Sequence, residues 1–202
     1  MDNAFFTFIK PALGYVDKGD FFRRPFGWLY MVVAILNLLI PIAILYSVID
    51  ANFFKFADAK AIIVFVLIWL VIVFLAWLSF QLWWDRKEKV VVTSTQGEEF
   101  IATPVFSHLI QTFGEWLGLW VGVLGFAFAL LGTIIMGDEA GYLASQLGIG
   151  FLEHGLLYIV LMPIYGFLIV VFFRFLAEVF RALTSLANTA QRQLKYFEPP
   201  KE

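Results

Sequence analysis

Four long runs of this chain contain no Asp, Glu, Lys, Arg or His, and no other feature limits its fold as much. They are Trp28 to Val48, Ala61 to Trp84, Trp116 to Met136 and Gly155 to Phe173. A helix needs about 20 residues to cross a bilayer core of about 30 Å, and each run has roughly that reach. Within lipid a backbone must satisfy its own polar groups, which such a run does as a helix. The expected fold class is an all-α integral membrane protein with four transmembrane helices. Composition agrees: 61% of the 202 residues are hydrophobic and 15% charged, and mean hydropathy is +0.85, far from the balance of soluble domains.

Charge distribution sets the expected orientation. All but Lys55 and Lys60 of the 14 Lys and Arg fall in the amino-terminal segment, the central connection or the carboxyl-terminal segment. The positive-inside bias then makes both termini cytoplasmic. All but Trp69 and Trp77 of the 7 tryptophans lie at the cytoplasmic ends of their spans, where indole rings prefer the headgroup level. Lys10, Asp17, Lys18, Asp20, Arg23 and Arg24 interrupt any signal-peptide core, so the first span is expected to be an uncleaved anchor. The chain divides into a cytoplasmic or interfacial segment (1–27), a first transmembrane hairpin (28–84), a cytoplasmic loop (85–115), a second transmembrane hairpin (116–173) and a cytoplasmic amphipathic helix with its tail (174–202).

In the central loop, "KVVVTSTQGEEFIA" reads as two β-prone runs around a Gln-Gly turn, a small β-hairpin. After it, Thr103 and Pro104 open a helix whose Val105, Phe106, Leu109, Ile110 and Phe113 share one face, expected to lie at the membrane surface before the third span. At the far end, Arg174 follows the fourth apolar run, at the depth where a guanidinium can reach headgroups. Arg174 and Glu178 form an expected i, i+4 pair, with Arg181 one turn further. Leu176, Val179, Leu183, Leu186, Ala190, Leu194 and Phe197 recur at spacings of three and four and keep one apolar face on a continuing helix.

The same inventory limits the chemistry. Without cysteine there is no disulfide framework, thiolate zinc site or iron–sulfur cluster. His108 with Glu115, and Glu153 with His154, fall on opposite sides of the expected topology and do not make one metal site. Neither H-E-x-x-H nor G-x-S-x-G occurs. No catalytic, cofactor-binding or metal-binding residue is assigned, no cofactor is expected, and the chain reads as a non-enzyme. A net charge of −2 with scattered cations offers no basic stripe for nucleic acid.

Two intramembrane features remain. Gly114, Gly118, Gly122, Gly125 and Gly132, with Ala129, line one face of the third span and let a neighbouring backbone come close. Packing inside the four-helix unit explains them more simply than an interface between copies or with a partner. Asn37, Pro41 and Pro163 form a polar, proline-kinked region near mid-membrane. Transporters place substrates at such interruptions, but an asparagine bonded to a neighbouring helix accounts for the same residues.

"FFRRPFGWLYMVVAILNLLIPIAILY" and "GFLIVVFFRFLAEVFRALTSLANTAQ" resemble the opening and closing segments of a group of small bacterial inner-membrane proteins of unknown function. The matching positions are Arg23, Arg24, Pro25, Arg174, Glu178 and Arg181. The resemblance implies a multi-pass protein of the bacterial cytoplasmic membrane and no activity. The function expected is a membrane subunit or scaffold, partnered by the bilayer and by other proteins or its own copies through the tail carrying Leu183 and Leu186. A small oligomeric transporter or channel is the alternative.

Overall fold

A computed structural model describes Gly14 and residues 20–92, 102–137 and 155–197. Helix α1 (Asp20–Asp50) contains Pro25 and Pro41. The chain turns at Asn52, which takes a left-handed φ of 54°, a conformation asparagine tolerates better than most residues. One helical turn, α2 (Phe53–Phe56), gathers Phe53, Phe54 and Phe65. Asp58 then accepts the Ala61 N–H at 3.0 Å, an N-cap for α3 (Ala59–Val92). Helix α4 (Ala102–Met136) winds wide twice, in π turns at Trp120–Leu124 and Gly132–Met136. It stops at Gly137, whose φ of 57° suits a residue without Cβ. Helix α5 (Gly155–Phe197) runs unbroken for 43 residues, about 65 Å, roughly twice the thickness of a hydrocarbon core.

All four long helices are long and apolar enough to cross a membrane. They pack as two hairpins, α1 on α3 and α4 on α5, and α4 also touches α1 and α3. One core cluster holds Tyr30, Ala34, Trp83, Val90 and Val105, with the Tyr30 and Trp83 rings meeting edge-on at 4.9 Å. A second joins Val64, Ile68 and Ile72 of α3 to Met136 of α4. Outward faces carry exposed Leu36, Ile42, Phe74 and Phe167, as expected where lipid rather than water is the solvent.

The α4–α5 hairpin keeps one antiparallel register over most of its length because small residues let the backbones meet. A Cβ on Gly118 would lie 2.5 Å from the Gly166 carbonyl oxygen, and one on Gly166 would lie 2.5 Å from the Gly118 oxygen. Gly114 seats against Phe173, Gly122 against Gly166, Gly125 against Met162, and Gly155 against Thr133. Van der Waals contact of this closeness is the main driving force between helices in lipid.

The structure corrects three expectations. Residues 90–92, the first arm of the expected β-hairpin, continue α3, and 93–101 lie outside the described residues. Among the described residues there is no strand. The helix opened near Pro104 is no separate interfacial element, because α4 passes through Glu115 and Trp116 without a break. Its polar residues find partners on α3 and α5, so nothing forces it to turn along the membrane surface. Arg174 also leaves Glu178 and turns to Glu115, for reasons of burial given below. The α3 helix likewise runs on past Trp84 and α1 begins at Asp20, ahead of Trp28, while α5 continues past Phe173 as expected. Apart from Gly14, residues 1–19 lie outside the described residues, as do 138–154.

Candidate functional site

At one end of the bundle a polar seam crosses three helices. Ser107, Gln111 and Glu115 lie at i, i+4 and i+8, hence on one face of α4. Arg174 and Arg181 are seven residues apart, two turns along one face of α5. Arg86 comes from α3. Glu115 collects them: Arg86 Nη2 donates to its Oε2 at 2.7 Å and its Oε1 at 3.0 Å. Arg174 donates to Oε1 from Nη2 at 2.8 Å and from Nε at 3.1 Å, and Gln111 Nε2 donates to the same oxygen at 2.9 Å.

Burial explains why Arg174 takes this partner. The Glu115 side chain is 11% exposed and Arg86 18%, while Arg174 is 53% exposed. A carboxylate withdrawn from water is destabilised by several kcal/mol unless cations and hydrogen bonds compensate. A solvated Arg174–Glu178 pair on one helix would contribute about 0.3–0.5 kcal/mol. Arg174 therefore gives more where the buried anion is.

The seam continues outward along α4 and α5. Gln111 Oε1 accepts from Arg181 Nη2, whose Nε donates to Ser107 Oγ at 3.2 Å. Ser107 Oγ donates in turn to the Pro104 carbonyl at 2.8 Å. Beside it, Tyr30 of α1 donates to Thr112 Oγ1 at 3.3 Å, and Thr112 donates to the His108 carbonyl at 2.8 Å. Arg86 Nε and Trp83 Nε1 are buried without a hydrogen-bond partner among the described residues.

Deeper in the bundle, tryptophan N–H groups tie helices together. Trp116 Nε1 donates to Asn37 Oδ1 at 2.9 Å, and Asn37 Nδ2 donates to the Val33 carbonyl at 2.8 Å. Trp120, at the first π turn, donates to Ser79 Oγ at 2.8 Å, and Trp69 to the Pro41 carbonyl at 2.9 Å. These bonds join α1, α3 and α4.

The residues singled out in the sequence thus go to different places. Gly114, Gly118, Gly122 and Gly125 seat α5, and Gly132 opens the second π turn. Asn37 and Pro41 bond tryptophans on two different helices, while Pro163 packs near Gly122 on α5, so the three do not converge on one polar site. Arg174 and Arg181 join the seam, and Glu178 does not. Leu183 and Leu186 stand 58% and 68% exposed. Of the centre of the seam, Glu115 was weighed only beside His108, and its partnership with Arg86, Gln111 and Ser107 was not foreseen. The signal for it was present as polar residues at helical spacing on α4 and on α5.

Two open grooves flank the α4–α5 contact. One, of about 870 Å³, lies among Trp120, Leu124, Phe128, Tyr158, Met162 and Phe172. The other, of about 370 Å³, runs from Glu115 past Leu119, Val123 and Phe126 on α4, opposite Phe167 and Val170 on α5. Both are lined almost wholly by apolar side chains. Among the described residues no group of three or more His, Cys, Asp or Glu is placed to hold a metal ion.

Four apolar spanning helices in two packed hairpins define a multi-pass helical membrane protein. No family model, curated protein or solved structure matches the chain.

Proposed function

We propose that the protein is a non-catalytic membrane subunit that docks other membrane proteins, or further copies of itself, through the carboxyl-terminal half of α5. The observation that carries this reading is the two-sidedness of that segment. Ala177 and Thr184 are buried on the side facing α4, whereas Leu183, Leu186 and Leu194 are exposed on another. An apolar stripe beyond the spanning part of a helix gains by being covered, either by a partner or by the membrane surface.

The setting that goes with this reading is a bacterial cytoplasmic membrane with both termini cytoplasmic. Supporting it are the concentration of Arg86, Lys87, Lys89, Arg174 and Arg181 around one end of the bundle and the positive-inside bias, together with the resemblance of the opening and closing segments. In that setting the α5 extension is the cytoplasmic amphipathic helix. What weighs against a solute pathway through Asn37 is that its amide is bonded at both ends.

The test replaces Leu183 and Leu186 together by Asp and compares native masses after gentle solubilisation. Neither side chain belongs to the buried core, so bundle stability should change by no more than about 0.5 kcal/mol. The expected result is loss of the bound partner or of the oligomer with the bundle intact. An unchanged mass would remove the proposal.

A further inference from the structure

We infer that the smaller groove between α4 and α5 is a binding site for one anionic phospholipid, with its phosphate at Arg174 and Arg181 and an acyl chain along the groove. The inference begins with alignment. Pro163, Phe167 and Val170 line this groove from α5, and Arg174 follows them at helical spacing on the same face, with Arg181 two turns beyond. On α4 the lining runs from Glu115 to Phe126, and Gln111 and Ser107 continue that face outward. The apolar groove therefore opens directly onto the polar seam.

Its dimensions suit a lipid. From Glu115 to Phe126 is about 16 Å of helix, close to half of a hydrocarbon core and so the depth of one leaflet. The volume, about 370 Å³, accommodates an extended chain rather than a compact solute in an open, apolar trough. Within the seam, among the described residues, three guanidiniums, Arg86, Arg174 and Arg181, accompany one carboxylate, Glu115, which pairs with the first two, and the exposed Glu178, one turn from Arg174 and from Arg181, pairs with neither. Among the described residues Arg181 bonds the neutral Ser107 and Gln111 and no carboxylate. Arg174 is half-exposed and keeps Nη1 outside its bonds to Glu115. A phosphodiester supplies the missing negative charge and the acceptor oxygens that guanidinium favours. Zwitterionic lipid supplies a phosphate too, but brings its own cation to an already cationic mouth.

The experiment uses the full chain in detergent with phosphatidylglycerol or phosphatidylcholine of identical acyl chains, and reads lipid retained on the protein by native mass spectrometry. Each basic residue near anionic lipid contributes on the order of a five-fold preference, so wild-type protein should retain phosphatidylglycerol at least about five-fold better. Arg181→Gln should reduce that preference by about five-fold. Val123→Trp, which fills the groove from an exposed position and leaves every charge in place, should reduce retention of both lipids. Equal retention of the two lipids by wild-type protein would overturn the inference, as would an Arg181→Gln variant with full preference or a Val123→Trp variant with full retention. Inorganic phosphate distinguishes the other source of the same chemistry. If millimolar phosphate displaces phosphatidylglycerol completely, the mouth is a soluble-anion site and the lipid assignment fails.

Discussion

Replacing Glu115 by Gln removes one charge and almost no volume, and it should destabilise the bundle more than any other single polar substitution in the seam. Removing one partner of a buried ion pair typically destabilises by about 3–5 kcal/mol, because the remaining charge is left without compensation. Arg86, 18% exposed, falls under that rule. Arg174, 53% exposed, can turn to headgroups or water, so its share lies at the upper end of the roughly 0–1 kcal/mol of a surface pair, above that of an i, i+4 pair. Gln at 115 can still accept from one guanidinium, which lowers the loss to about 3 kcal/mol. For a chain of this size that corresponds to a fall in Tm of roughly 6–12 °C. The assay is thermal unfolding in detergent, followed by tryptophan fluorescence and by helical circular dichroism. A double-mutant cycle should give a coupling above about 1.5 kcal/mol for Arg86 with Glu115, and below about 1 kcal/mol for Arg174 with Glu115. A change under about 0.5 kcal/mol in Glu115→Gln, or the opposite order of couplings, would refute this account of the seam.

Gly118→Ala and Gly166→Ala each put a Cβ within 2.5 Å of the opposing carbonyl oxygen, so each should destabilise the α4–α5 hairpin by about 1–3 kcal/mol in the same unfolding assay. Asn37→Leu leaves the Trp116 N–H without an acceptor and should destabilise by about 1–3 kcal/mol; adding Trp116→Phe, which removes the donor as well, should recover part of that loss. If Asn37→Leu instead stops a solute flux in liposomes at an unchanged Tm, the residue serves transport and not packing.

Much of the fold was legible because lipid reads sequence simply. The four uncharged runs all became helices of spanning length, and the glycine face of the third span met α5 as its residue types imply. The ends of the spans were not legible. Val90–Val92 look β-prone by residue type, yet Val90 is buried against Trp83 and Val105, and tertiary packing overrides propensity. Likewise, the charged end of the third run suggested a boundary at Glu115, because a carboxylate in sequence looks like an exit from lipid. Its compensating cations come from 29 and 59 residues away, and local spacing cannot reveal them. Arg174 shows the same limit: the i, i+4 rule offered Glu178, while burial selected Glu115. What the sequence did hold was the pattern of Ser107, Gln111 and Glu115 facing a segment with Arg174 and Arg181, two matching polar lines on otherwise apolar helices.

On the proposal above, α5 beyond the ion-paired seam docks protein. A photo-crosslinking amino acid at Leu186, activated in the intact source membrane, tests it most directly, with the same group at the exposed spanning residue Leu157 as the lipid-facing control. A docking face should give a discrete crosslinked polypeptide from position 186, either a second copy or another chain, absent from position 157 and lost when Leu183 is changed to Asp. Label recovered only on lipid from position 186 would mean that the stripe lies on the membrane surface, and the docking role would be wrong.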